Sequence, residues 1–241
     1  MGNSSFSFMH FTIQQDRCAM KVGTDGVLLG AWADLEGVKK VLDIGTGTGL
    51  VALMIAQRAP EAQVLAIEID FRAAEQAKDN FKSSKFRERL QVEHLRLQEF
   101  QYDGHFDLII CNPPFFPGGT PSPNQQRNMA RQDESLDLVT LIQACSPWLA
   151  HHSRIALVIP ADREMELKSL ILEHDMHIRR LCRVRPNPLK EQKRILAEIL
   201  KGPQRGVIRT TTLIIEDEER HRYTPEFKKL TADFYPVEYG H

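Results

Sequence analysis

Short apolar runs alternate with amphipathic stretches from about residue 40 onward. The apolar runs predict buried strands at 40–44, 63–69, 106–110 and 154–159, with a weaker one at 91–95. Apolar positions that recur every three or four residues predict helices over 50–58, 71–85, 136–150 and 163–175. Strands separated by helices of this length form βαβ units, so the pattern predicts a parallel sheet covered on both faces.

The alternation of predicted strands and helices ends after residue 176. Three strand-like runs follow with no strong helix between them, at 177–184, 194–200 and 209–215. They predict that the sheet ends in antiparallel strands. The fold class predicted is therefore α/β, with a doubly wound, mostly parallel sheet and antiparallel C-terminal strands.

Composition limits the protein classes that fit this pattern. The chain has 241 residues, 42% of them hydrophobic and 26% charged, and a formal net charge of −1, as in ordinary globular proteins. No apolar run is long enough to span a bilayer, and no charged-then-apolar leader is present. The four cysteines are scattered, so neither a disulfide framework nor a metal site is expected, and a cytoplasmic location is predicted.

The strongest motif is DIGTGTG at residues 43–49, where a strand turns into a helix. A dinucleotide site needs G-x-G-x-x-G, which would place the third glycine at position 50, whereas the chain has Gly49 followed by Leu50. Asp43 lies two residues before the first glycine. A carboxylate there would repel a pyrophosphate and attract an ammonium group. The motif therefore favours S-adenosylmethionine, a cationic amino-acid derivative without phosphate.

The second strand of the alternating pattern ends in an acid that suits a ribose. Glu68 lies 19 residues after Gly49, where a carboxylate can accept hydrogen bonds from both ribose hydroxyls. Asp70 directly precedes a helix, so we interpret it as the N-cap. The residues predicted on these grounds to bind the cofactor are Asp43, Gly45, Thr46, Gly47, Gly49, Glu68 and Ile69.

Asn112, Pro113, Pro114 and Phe115 follow the strand at 106–110, at the same edge of the sheet. An aryl amine has its lone pair delocalised into the ring. Acceptance of both amine hydrogens by the Asn112 side chain and the Pro113 carbonyl would leave that lone pair free to attack a methyl group. Prolines fix the backbone, and Phe115 offers a face on which a base can stack. Alone, the motif would be better interpreted as a turn that ends a buried strand.

Together, D-x-G-x-G-x-G and N-P-P-F resemble the class I amino methyltransferases that act on adenine N6, guanine N2, cytosine N4 or glutamine. The run 11–33, with DRCAMKVGTDGVLLGAWA at 16–33, and the ending 223–235 resemble the bacterial tRNA1(Val) adenine-37 N6-methyltransferase family over nearly the whole chain. The resemblance implies a seven-stranded, Rossmann-like methyltransferase domain over 36–241. It also implies a cap segment at 1–35 and methylation of adenosine 37 in the anticodon loop of a valine tRNA.

The resemblance also implies roles for residues outside the two motifs. The segment matching 21–25 closes over the methionine end of the cofactor, so Lys21, Thr24 and Asp25 become candidate contacts, as does Asn112. Thr24 is equally suited to be the N-cap of a helix over 25–33. Relatives often carry an acid after the third strand to bind the cofactor adenine; the matching position here is Arg96, so Gln98 or a backbone group takes that role.

Basic residues in two stretches are candidates for RNA phosphate contacts. Arg127 and Arg131 lie in a Gly/Pro/Asn-rich stretch after the N-P-P-F motif, long enough to act as a flap over the target base. A second cluster, opposed only by Glu191, comprises Arg179, Arg180, Arg183, Arg185, Lys190, Lys193 and Arg194. The alternative for each residue is an ordinary solvated face.

Other functions fit the sequence less well. Guanine-N2 RNA methyltransferases often carry a His after the Phe, where this chain has Phe116. Glutamine N5-methyltransferases usually add a helical N-terminal domain, for which about 35 residues leave no room. A catalytically silent RNA-binding module would have lost Asn112 or the glycines, and all are present. No membrane, metal or obligate protein partner is expected.

Overall fold

The computed structural model describes residues 3–18, 20–114, 136–204 and 206–235. Its strands are β1 (Ser5–Ser7), β2 (Thr12–Gln14), β3 (Lys40–Ile44), β4 (Gln63–Glu68), β5 (Leu90–His94), β6 (Phe106–Cys111), β7 (Leu149–Pro160), β8 (Met176–Arg185), β9 (Arg194–Lys201) and β10 (Arg209–Ile214). Its helices are α1 (Thr24–Trp32), α2 (Leu50–Arg58), α3 (Phe71–Ser83), α4 (Leu138–Cys145), α5 (Glu164–Glu173) and α6 (Pro225–Thr231).

Eight strands form the main sheet in the order β10-β8-β9-β7-β6-β3-β4-β5. β9 pairs antiparallel with both β7 and β8, whereas β10 pairs parallel with β8. The mostly parallel, doubly wound α/β prediction is confirmed; the sheet has one strand more than the seven that the resemblance implies, and this strand is β10, over the run predicted at 209–215. The C-terminal antiparallel pairing is confined to β9, because the hairpin at 186–193 inserts β9 between β7 and β8 and leaves β10 on the far side of β8.

Two apolar clusters cover the two faces of the sheet. Val41 of β3 packs in one cluster with residues of α1, α2, α3 and α6. The next residue, Leu42, packs in the other with α4 and α5. This alternation along a strand buried on both faces explains the continuous apolar runs in the sequence.

Helix α4 ends earlier than predicted. The helix predicted over 136–150 ends at Cys145, and after a 3-10 turn at Ser146–Trp148 the strand β7 begins at Leu149. Pro147 cannot donate a backbone hydrogen bond to continue an α-helix. His152 adopts a positive φ of 75° within the strand, and regular pairing of β7 with both β6 and β9 begins only at Arg154, where the predicted strand starts.

The N-terminal segment is attached to α3 by buried amide side chains. Gln14 N donates to Asn80 Oδ1 at 2.9 Å, and Arg17 N donates to Gln76 Oε1 at 3.0 Å. α1 then begins at Thr24, and its N-cap is Gly23, without a side-chain cap. The alternative that Thr24 caps this helix is therefore wrong, because the helix starts one residue earlier than predicted. None of the helices described is long and apolar enough to cross a membrane.

A fully buried acid on β9 binds two arginines of β8. Glu198 Oε1 accepts from Arg179 Nη1 at 2.9 Å, and Glu198 Oε2 accepts from Arg180 Nη2 at 2.8 Å. Arg179 Nη1 also lies 2.9 Å from Asp34 Oδ2, and the Arg180 guanidinium lies 4.2 Å from the Trp32 ring. These contacts fix the end of α1 against the sheet.

Replacement of Glu198 by Gln should destabilise the protein by about 2 kcal/mol or more, because two guanidiniums lose the buried carboxylate that neutralises them. Urea unfolding of both proteins measures the difference. Exposed Glu218→Gln is the control and should change the unfolding free energy by less than about 0.5 kcal/mol. Equal stability of the Glu198 and Glu218 variants would contradict this account.

Candidate active site

The carboxyl ends of three adjacent strands carry the acids and the amide singled out in the sequence. β3 lies between β4 and β6, with Ile44 opposite Ile67 on one side and Cys111 on the other. Asp43, Glu68 and Asn112 are therefore brought together at the edge of the sheet that is formed by the carboxyl ends of its parallel strands. Ligands of doubly wound folds bind at this edge.

The glycine loop after β3 leaves open space in front of its backbone. Gly45 and Gly47 have φ values of +69° and +58°, and a Cβ added to either would meet no heavy atom within 4 Å. Gly49 has a φ of +85°, and its Cβ would lie 2.4 Å from Phe81 Cε1. The first two glycines therefore provide room for a ligand, whereas Gly49 is required by close packing against α3.

Asp43 is buried beneath this loop. It is 2% exposed, and its Oδ2 accepts from Thr46 Oγ1 at 2.6 Å. Burial raises the pKa of Asp43 to about 7, although hydrogen bonds from Thr46 and the Ala52 amide act in the opposite direction. A cationic ligand group near the loop would stabilise the charged form of this carboxylate.

The Glu68 carboxylate is oriented by two backbone amides. Its Oε2 accepts from Gly47 N at 2.8 Å, and its Oε1 accepts from Asp70 N at 2.9 Å. Each carboxylate oxygen can accept a further hydrogen bond. Asp70 accepts from Ala73 N at 2.7 Å, which confirms its predicted role as the N-cap of α3.

The ends of β4 and β5 form a second part of the same edge. Ile69 is half-buried, and its carbonyl lies 3.0 Å from His94 Nε2. Phe71 is 61% exposed, with its ring 5.4 Å from the His94 ring. Gln98 is exposed in the 3-10 turn that follows β5. Phe71 and His94 were not among the residues predicted for the site, although the sequence shows an aromatic residue directly after the helix cap.

Asn112 lies against the first turn of α1. A Cβ added to Gly26 would lie 3.9 Å from Asn112 Nδ2 and 3.1 Å from Leu50 Cδ2. Asn112 and Pro114 are half-buried and Pro113 is buried. Phe115 lies outside the described residues. The helix of the N-terminal segment therefore packs directly beside the amide predicted to bind the amine.

The other candidates of the N-terminal segment surround this turn. Lys21 is exposed, and its Nζ donates to the Asn3 carbonyl at 3.3 Å. Thr24 is exposed at the first position of α1, and Asp25 Oδ2 accepts from Arg194 Nε at 2.7 Å.

The RNA candidates occupy different environments. Arg179 and Arg180 contact buried Glu198, as described above, and Arg183 Nη2 donates to Glu164 Oε1 at 2.8 Å. Lys190 and Lys193 are exposed in the hairpin between β8 and β9, at the same edge as Asn112. Arg127 and Arg131 lie outside the described residues. Within the described part of the chain, no group of three His, Cys, Asp or Glu side chains could hold a metal ion.

Comparison with known proteins agrees with this architecture. The sequence model of the methyltransferase small domain family matches residues 23–136. The tRNA1(Val) (adenine(37)-N6)-methyltransferase of Bacteroides thetaiotaomicron is 41% identical, over 98% of each chain.

Two solved structures show the same fold at low sequence identity. An Agrobacterium tumefaciens O-methyltransferase-like protein superposes with a TM-score of 0.65 and 19% identity, covering 87% of this chain and 96% of its own. The O-methyltransferase of a trans-AT PKS multienzyme from Brevibacillus brevis, solved with S-adenosyl-L-homocysteine, gives a TM-score of 0.54 and 15% identity, covering 73% and 71%.

The raised pKa of Asp43 predicts a pH-dependent effect of Asp43→Asn on stability. The folded state binds this proton up to about pH 7, whereas the unfolded state releases it near the ordinary value of 3.8. The contribution of Asp43 to stability therefore falls as pH rises through that window. Urea unfolding should find Asp43→Asn more stable, relative to wild type, at about pH 8 than at about pH 5. A difference that is constant with pH would contradict the burial argument.

Proposed function

The chain belongs to the tRNA1(Val) (adenine(37)-N6)-methyltransferase family, and we propose that it methylates N6 of adenosine 37 in a valine tRNA. The observation that carries this proposal is the pairing of β3 with β6, which sets the glycine loop beside Asn112. The proposed site of the methyl donor, at the glycine loop, is then adjacent to the proposed site of the target amine, at Asn112. A tRNA substrate also points to the cytoplasm as the place of action.

The residues at the sheet edge fit S-adenosylmethionine. The open space at Gly45 and Gly47 admits a ligand close to the backbone, with the Glu68 carboxylate held beside it. Buried Asp43 favours a cationic group nearby. When bound, S-adenosylmethionine supplies an electrophilic methyl group carried on a sulfonium. Thr46 and Gly49 support the loop; Ile69 and Gln98 flank the position proposed for the adenine.

Asn112 and Pro113 orient the amine in this proposal. Their oxygens accept the two N6 hydrogens, which turns the nitrogen lone pair towards the methyl group. Pro114 restricts the backbone that carries these acceptors. The stacking of Phe115 on the target base remains a proposal from the sequence. The protein needs no covalent intermediate, since binding and orientation supply the catalysis.

The N-terminal segment, residues 1–35, is proposed as a cap over the cofactor, with residues 36–241 forming the methyltransferase domain. Asn80 supports this role because its Nδ2 donates to both Gln14 O at 2.9 Å and Thr48 O at 2.8 Å. One side chain thus connects the segment to the glycine loop. Lys21, Thr24 and Asp25 are then placed near the methionine end of the cofactor.

The β8–β9 hairpin at 186–193 is proposed to bind anticodon-loop phosphates. Lys190 and Lys193 are exposed there, and Arg185 Nε fixes the hairpin by donating to Lys190 O at 2.8 Å. Arg183 lies on β8, two residues before Arg185, and is a further candidate, although its Nη2 also donates to Glu164 Oε1. Because position 37 is in a loop, its base is already unpaired and little energy is needed to turn it out.

Two further arginines, Arg127 and Arg131, stay in the proposal on sequence grounds. Arg179 and Arg180 do not, because their guanidiniums are committed to Glu198. A bound phosphate would have to compete with a buried carboxylate for them.

The proposed substrate is tested with unmodified valine tRNA transcripts carrying adenosine or guanosine at position 37. After incubation with protein and S-adenosylmethionine, nucleoside mass spectrometry should find N6-methyladenosine only in the adenosine transcript. N2-methylguanosine in either transcript would move the target to a guanine, and N6-methyladenosine in both would place the target at another adenosine.

Asn112→Ala should lower kcat by about 100-fold or more, because the amine loses an oriented acceptor. The affinity for S-adenosylhomocysteine, measured by calorimetry, should stay within about threefold of wild type, since the glycine loop is unchanged. Loss of S-adenosylhomocysteine binding would contradict this division of roles.

Combined substitution of Lys190 and Lys193 by Gln should raise the KM for tRNA and leave kcat unchanged. The dependence of tRNA affinity on salt should become shallower by about one unit of slope for each phosphate that the variant no longer neutralises. Lys39→Gln with Lys40→Gln is the matched control, since these exposed lysines lie at the opposite edge of the sheet. An equal effect of the two double variants would contradict a localised RNA contact.

A further inference from the structure

One ion pair connects the β8–β9 hairpin to the first turn of α1. Arg194 Nε donates to Asp25 Oδ2 at 2.7 Å, with the two side chains 37% and 34% exposed. The partners are separated by 169 residues in the chain. Arg194 is the first residue of β9, at the edge that carries Asn112. The pair thus spans from the sheet to the N-terminal segment.

The position of Arg194 is fixed from both neighbouring strands. Its backbone lies opposite Pro160 of β7 and Val184 of β8. Its Nη1 donates to the Lys193 carbonyl at 3.0 Å, which orients the guanidinium. The guanidinium therefore extends from a part of the sheet that is paired on both sides. Its ion pair restrains the position of Asp25.

Asp25 in turn precedes Gly26, which faces Asn112 and Leu50. A Cβ added to Gly26 would lie 3.1 Å from Leu50 Cδ2, which is tight, and 3.9 Å from Asn112 Nδ2, at ordinary contact distance. A shift of the first turn of α1 would therefore change the space beside Asn112 and the front of the glycine loop. Asp25 is positioned by Arg194 on one side and by helix packing on the other.

We propose that Arg194 is a positioning residue, which acts through Asp25 to hold the first turn of α1 against Asn112 and the cofactor site. This role differs from the phosphate contact expected for the basic cluster as a whole. It rests on the proposed function only in taking this edge as the cofactor site. Arg194 need not touch RNA or cofactor to affect both cofactor affinity and turnover.

The test measures S-adenosylhomocysteine affinity by calorimetry without RNA, together with kcat and the KM for tRNA. Arg194→Met should weaken S-adenosylhomocysteine binding about two- to fivefold, the range expected for a partly exposed ion pair. It should also lower kcat. Arg194→Lys, which retains the charge, should restore most of the affinity. Thermal unfolding of each variant establishes that the proteins compared are folded.

Lys193→Met is the matched control, because it removes the same charge one residue away. It should raise the KM for tRNA and leave S-adenosylhomocysteine affinity unchanged. In an Asp25→Ala background, which removes the acceptor, Arg194→Met should cause no further loss.

Wild-type affinity in Arg194→Met, or an additional loss in the Asp25→Ala background, would overturn the proposal. Because the binding assay contains no RNA, these outcomes are independent of whether the valine tRNA is the substrate. Failure of tRNA methylation by a wild-type protein that binds S-adenosylhomocysteine would reject the substrate and leave the role of Arg194 decided by the calorimetry.

Discussion

The parallel pairing of β3 with β4 and β6 is the constraint on which the site depends. Parallel strands end at one edge, so residues far apart in the chain, Asp43, Glu68 and Asn112, meet there without any direct contact having to bring them together. The apolar clusters on both faces fix these strands, and the polar groups occupy only their ends. The apolar faces of these strands thus supply stability, and their carboxyl ends carry the polar groups of the site.

The N-terminal segment completes this edge through polar contacts. Asn80 connects it to the glycine loop, Arg194 connects Asp25 to β9, and Glu198 anchors the arginines beside the end of α1. Gly26 and Gly30 allow α1 to approach α2 closely; a Cβ on Gly30 would lie 2.8 Å from Met54 Sδ. Small residues allow the close approach of α1 to α2, and these polar contacts determine the position of the segment.

Local patterns predicted the elements at the site, whereas pairing between distant elements was not encoded locally. The D-x-G-x-G-x-G turn and the Asp70 cap are local, so periodicity and spacing were enough to place them. The local pattern predicted all eight strands, but the position of β10 beside β8 and the isolated antiparallel pairing of β9 depend on strand order, which no local pattern records. The same limit explains Arg179 and Arg180: the sequence displays their charge, but not that Glu198 lies between them on the neighbouring strand.

The most direct test of the account is a crystal structure of the protein with S-adenosylhomocysteine and a valine tRNA anticodon stem-loop. The account predicts ribose hydroxyls on Glu68 and the N6 amine of adenosine 37 about 3 Å from Asn112 Oδ1, facing the cofactor sulfur. A cofactor bound away from the glycine loop, or a target base that does not contact Asn112, would contradict it.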